Sequence, residues 1–127
     1  MILGIGTDIV EVAELERRLE RGWLLRVFSE AERAYADERP KRRVQTLAAR
    51  WAAKEAFAKA LGTGIRTEWN LAELEVINND GGKPEFRLGP SVRDLVPEGA
   101  RVHVSLSHTT TYATAVVIIE NAQAFPS

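Results

Sequence analysis

Arg50-Trp51-Ala52-Ala53-Lys54-Glu55-Ala56-Phe57-Ala58-Lys59-Ala60-Leu61-Gly62 is the stretch whose reading decides the fold. Together with Val44 and Leu47 it predicts one long alanine-rich helix from about Val44 to Leu61. Gly62 stops it, because glycine most easily takes the left-handed conformation past a helix end. Val44, Leu47, Trp51, Phe57, Ala58 and Leu61 then share one broad apolar sector. Lys54 falls inside that sector and Glu55 and Lys59 lie at its edge, so a helix that packs the core also aims charge close to it. Something polar has to meet that face.

On the N-terminal side, Ile2 to Thr7 predicts a short buried strand, with Ile2, Gly4, Gly6 and Asp8 on one side. Its two glycines leave room for something to approach the backbone beside Asp8. A helix is expected from about Ile9 to Trp23. A second opens on a capping box formed by Ser29 and Glu32 and closes by Pro40. On the C-terminal side, Gly62-Thr63-Gly64 is a connector whose amides could bind a phosphate, or a plain helix stop. Strands follow at Leu71–Ile77 and Pro84–Leu88, around a turn at Asn78-Asn79-Asp80-Gly81-Gly82. Arg101–Ser107 and Tyr112–Glu120 form a hairpin across His108-Thr109-Thr110-Thr111. The expectation is one α+β domain over residues 1–120, with 121–127 as a C-terminal tail.

The chain has 127 residues, no cysteine and two histidines, which excludes thiolate chemistry, cysteine-ligated metals and a multi-histidine site. Any metal would be held mainly by oxygen. Nothing resembles a cleavable leader, and no stretch approaches the roughly 20 apolar residues of a membrane helix, so a cytoplasmic protein with no membrane partner is expected. Net charge is −1, but Arg39, Lys41, Arg42, Arg43, Arg50, Lys54, Lys59 and Arg66 face a single acid, Glu55, within residues 39–66. An acidic protein with one basic segment suits a compact anion such as a phosphorylated small molecule. The chain as a whole is not basic, which argues against nucleic acid.

Asp8 reads either as an N-cap, with Glu11 three residues on, or as a magnesium ligand at a strand end. Glu55 reads either as an ion-pair partner of its lysine neighbours or as a second ligand. Lys59, one turn onward on the same face, could then meet a phosphate that the metal also touches. Ser107-His108 is no hydrolase pair, since neighbours on a strand point to opposite faces. His103 is expected to be structural, and nothing local singles out Lys83.

Several blocks resemble the holo-[acyl-carrier-protein] synthases, the small phosphopantetheinyl transferases. They are Gly4-Ile5-Gly6-Thr7-Asp8-Ile9-Val10-Glu11, Phe28-Ser29 through Glu32, and Arg50 to Gly64. Asn79-Asp80 with Gly82-Lys83-Pro84, then Val104-Ser105-Leu106-Ser107-His108-Thr109, complete the set in the same order. The resemblance implies a 4'-phosphopantetheinyl transferase fold, an antiparallel sheet packed with a long alanine-rich helix, assembled as a homotrimer with active sites between protomers. It implies transfer of the 4'-phosphopantetheine arm of coenzyme A to a serine of apo acyl carrier protein, releasing adenosine 3',5'-bisphosphate, in fatty acid biosynthesis. By that similarity Asp8 and Glu55 hold Mg2+, and Lys59 faces the phosphates, making these three the catalytic set. Coenzyme contacts fall to Lys41, Arg42, Arg50, Lys59, Gly62, Thr63, Gly64, Lys83, Pro84 and His108. The family usually carries an arginine where this chain has Glu14. Arg17, Arg18 and Arg21 remain to meet the acidic carrier, Arg17 being nearest.

Overall fold

The computed structural model describes residues 1–121. Strand β1 (Ile2–Glu11) leads into helix α1 (Val12–Glu20), a 3-10 turn at Leu24–Val27, helix α2 (Glu30–Asp37) and a second 3-10 turn at Pro40–Arg42. The long helix α3 (Arg43–Leu61) follows. Beyond it come a third 3-10 turn (Leu71–Glu73), β2 (Leu74–Asn78), β3 (Pro84–Leu88), the short α4 (Pro90–Arg93), β4 (Ala100–His108) and β5 (Tyr112–Asn121). β1, β5 and β4 form an antiparallel sheet in that order, and β2 and β3 form a separate hairpin. This is the expected α+β arrangement of an antiparallel sheet packed with a long alanine-rich helix.

Register decides which side chains meet α3. Gly4, Gly6, Asp8 and Val10 of β1 lie opposite Ile119, Val117, Ala115 and Ala113 of β5 on one face of the sheet. Val102, Val104 and Leu106 of β4 join them. α3 lies across this inner face. What approaches the glycines is therefore the helix itself: a Cβ on Gly4 would collide with the Ala60 carbonyl oxygen, and one on Gly6 with that of Ala56. α3 is buried nearly all round, from Thr46 to Lys54 and again at Ala56–Ala58 and Ala60. It serves two cores. One joins Phe57, Trp69, Leu74, Val76, Val104 and Val117, with Phe57 meeting Trp69 and Phe86 edge-on at 6.1 and 5.6 Å. The other gathers Val12, Leu15, Leu24, Phe28, Leu47 and Trp51.

Lys54 is wholly buried, and the polar partner demanded by its place in the apolar sector is Glu32. Its Nζ donates to Glu32 Oε1 at 2.9 Å and to the carbonyls of Leu71 and Leu74 at 2.8 and 2.7 Å. Burial pushes the Lys54 pKa down while Glu32 draws it back up. Glu32 also completes the expected capping box with Ser29 and accepts from Val76 N, tying α2, α3 and β2 together.

Several boundaries differ from the sequence reading. β1 does not stop at Thr7. Its pairing with β5 runs to Glu11 opposite Tyr112, and Val12 N donates to Thr111 O at 2.9 Å. Asp8 is therefore mid-strand, and its N-cap reading is overturned: α1 starts after Glu11, without a side-chain cap, and ends at Glu20 rather than Trp23. Three residues expected to open β2, Leu71–Glu73, form a 3-10 turn. Asn121 belongs to β5, donating to Met1 O, and the rest of the expected tail lies outside the described residues.

Candidate active site

Because Gly4 and Gly6 let α3 close onto β1, the inward-facing Asp8 comes directly against the helix one turn further along the strand. Lys59 Nζ lies 2.9 Å from Asp8 Oδ1. Glu55, one helical turn before Lys59, stands half-buried between Asp8 and α1. Burial and then the neighbouring Asp8 charge push the Glu55 pKa up, while Lys59 and Arg18 pull it back. Asp8 and Glu55 open onto one cavity of about 220 Å3, whose wall includes Glu11, Glu14, Arg18 and Trp51.

Two like charges forced together in a partly dry cleft call for a cation. Among the described residues no group of three or more acids and histidines is arranged to hold a metal. The chain offers two carboxylates, oxygen donors both, and leaves further positions to water or a substrate. That donor set suits Mg2+, which keeps several waters and shares substrate phosphates, better than a closed structural metal.

Arg18 is the feature sequence reading placed second. Its guanidinium sits between the rings of Trp23 and Trp51, 5.3 and 5.4 Å from their centroids, at the wall of the Asp8–Glu55 cavity. Arg18, rather than Arg17, is the α1 arginine at the site. Its spacing of four from Glu14, which lines the same wall, was the signal that could have found it.

The remaining predicted residues lie elsewhere. Lys41 and Arg42 are exposed on the 3-10 turn before α3, and Lys41 borders a second cavity of about 520 Å3 that shares Glu11 with the first. His108 ends β4 and is exposed. Gly62, Thr63 and Gly64 follow Lys59, but their amides fold back onto the carbonyls of Lys59 and Ala58 at 3.0–3.3 Å. Those amides thus carry out the helix stop, the other reading of this connector. Arg50 leaves α3 toward α2 and the β2–β3 turn, stacking over Tyr35 at 4.3 Å and donating to Asn78 at 2.8 Å. Lys83 and Pro84 belong to that same turn and strand. On a helix of about 3.6 residues per turn, Lys59 projects roughly opposite to Arg50. One chain therefore brings Asp8, Glu55 and Lys59 together and holds Arg50, Lys83 and Pro84 apart from them.

Solved structures share this architecture. The chain is similar to a holo-(acyl-carrier-protein) synthase from Bacillus anthracis described in complex with CoA (3',5'-ADP), at 38% identity and a TM-score of 0.80, covering 95% of this chain and 98% of that one. It is also similar to the Chronobacterium ammoniagenes ACPS–CoA complex, at 32% identity and a TM-score of 0.83, covering 93% and 96%. A family model for the 4'-phosphopantetheinyl transferase superfamily matches residues 4–117, which defines the class as a transferase. Holo-[acyl-carrier-protein] synthases from a Geobacillus species and from Trichlorobacter lovleyi are 42% and 45% identical, each alignment covering 94% of this chain and 98% of the relative. The chain belongs to the holo-[acyl-carrier-protein] synthase family of that superfamily.

Proposed function

We propose that this chain transfers the 4'-phosphopantetheine arm of coenzyme A to a serine of apo acyl carrier protein and releases adenosine 3',5'-bisphosphate. The observation that carries the reading is the convergence of Asp8, from β1, with Glu55, from α3, on one cavity, with Lys59 of α3 paired to Asp8 beside it. Asp8 and Glu55 are the residues that would hold Mg2+, which supplies neutralising charge to the diphosphate when bound. Lys59, exposed and already paired with Asp8, is placed to offset charge that grows on the phosphate as the serine oxygen attacks phosphorus. Arg18, packed against two indoles at the cavity wall, presents its charge to the acidic carrier.

The other coenzyme contacts, Lys41, Arg42, Arg50, Lys83, Pro84 and His108, are reached across a boundary between chains in this reading. Two observations support a homotrimer with shared sites. Arg50, bonded to the strand that leads into the Lys83 turn, projects from the side of α3 opposite Lys59, and the outer face of β1 with the adjoining part of β5 carries an exposed apolar patch. On that face Ile5 and Ile9 are 60% and 64% exposed, with Leu3 and Val116 beside them.

Mass spectrometry of apo carrier protein incubated with coenzyme A and Mg2+ tests the function. A phosphopantetheine-sized gain on the serine is expected. Coenzyme binding without turnover, or coenzyme breakdown with an unmodified carrier, would overturn it.

A further inference from the structure

Arg50 is only 3% exposed, yet no carboxylate is bonded to it. Its plane covers Tyr35, Nη2 donates to the neutral Asn78 Oδ1 at 2.8 Å, and its Nε is buried without a partner. A buried guanidinium is usually matched by an acid. An amide partner orients the group without cancelling its charge, and Glu32, the acid whose charge acts on Arg50, is itself bonded to Lys54.

The other end of Asn78 reaches the β2–β3 turn. Asn78 Nδ2 donates to Gly82 O at 2.9 Å, immediately before Lys83. The turn does not need this bond to form. Asn79 closes it alone, accepting from Gly81 N and Lys83 N through Oδ1 and pairing its own N–H with Lys83 O. Asn78 instead ties the finished turn to α3 and aims it.

We propose that Asn78 is a positioning residue for the coenzyme, clamping Arg50 and the Lys83 turn in one orientation so that both cations address the phosphates of a single ligand. This rests on the transferase reading given above. Asn78 is partly buried at the end of β2, outside both apolar cores, so its loss should leave the fold standing.

The test compares the wild type with Asn78→Ala, Lys83→Ala and the double variant. Steady-state kinetics are read alongside calorimetric titration with coenzyme A and a thermal melt. Asn78→Ala should raise the KM and Kd for coenzyme A about tenfold, with kcat and the carrier KM within about twofold of wild type. In the Lys83→Ala background the same substitution should cost less than about threefold, because the two act through one contact. An unchanged coenzyme KM, a loss of kcat in step with a lower melting temperature, or full additivity with Lys83→Ala would each overturn the proposal. A wild type that binds coenzyme but never modifies the carrier sinks the transferase reading, while the binding arm still decides the role of Asn78.

Discussion

Glu55 and Lys54 are neighbours on α3 with opposite surroundings. Lys54 is fully buried on Glu32, whereas Glu55 shares its cleft with another acid. The raised Glu55 pKa means the folded chain holds that proton more tightly than the unfolded one. The stability this lends is present below the ordinary carboxylate range and is lost as pH rises through the folded value. Glu55→Gln should therefore raise the melting temperature of the metal-free protein by roughly 2 °C at neutral pH, while abolishing transfer. The difference should shrink as the pH is lowered, and Mg2+ should raise the melting temperature of the wild type but not of the variant; calorimetry reads both. Lys54→Met should cost about 3–5 kcal/mol in urea unfolding, since it strands the buried Glu32 carboxylate. Arg18→Glu should raise the carrier KM about tenfold and leave the coenzyme KM near wild type, measured by steady-state kinetics.

At the scale of elements, the contact between β1 and α3 sets the site. The two glycines bring the helix carbonyls onto the strand, and Asp8, the next inward residue after Gly6, meets Glu55 and Lys59. Gly6→Ala should destabilise the chain by about 3 kcal/mol in urea unfolding and eliminate transfer, because the added methyl drives strand and helix apart. The extent of α3, its stop at Gly62 and the capping box at Ser29 were legible in the sequence because each rests on residues within a few positions of one another. The length of β1 was not. The spacing of Asp8 and Glu11 imitates a cap, and only pairing with β5, more than a hundred residues away, holds those residues extended. The amides of Gly62–Gly64 were equally ambiguous until the helix carbonyls claimed them.

For the molecule as a whole, one chain divides the site between the two sides of α3, and in the proposed homotrimer a neighbouring copy completes it. If the proposed trimer forms through the exposed apolar patch, Ile5→Glu should shift the protein from trimer to monomer in sedimentation analysis and remove activity with it. Mixing the inactive Glu55→Gln with Lys83→Ala, which binds coenzyme weakly, should yield a fraction of sites with the wild-type coenzyme KM in the proposed trimer, because some interfaces then join two intact halves. The sequence by itself determined the helical and strand periodicities, the oxygen-only donor set and the charge of the basic segment, all properties of residue type and near spacing. Tertiary structure alone decided that Asp8 meets Glu55 and Lys59, that Lys54 is answered by Glu32, and that Arg18 lies between two indoles. Apart from Trp23, five residues beyond Arg18, the partners lie far apart along the chain, and such distances close only when sheet register and helix packing are in place.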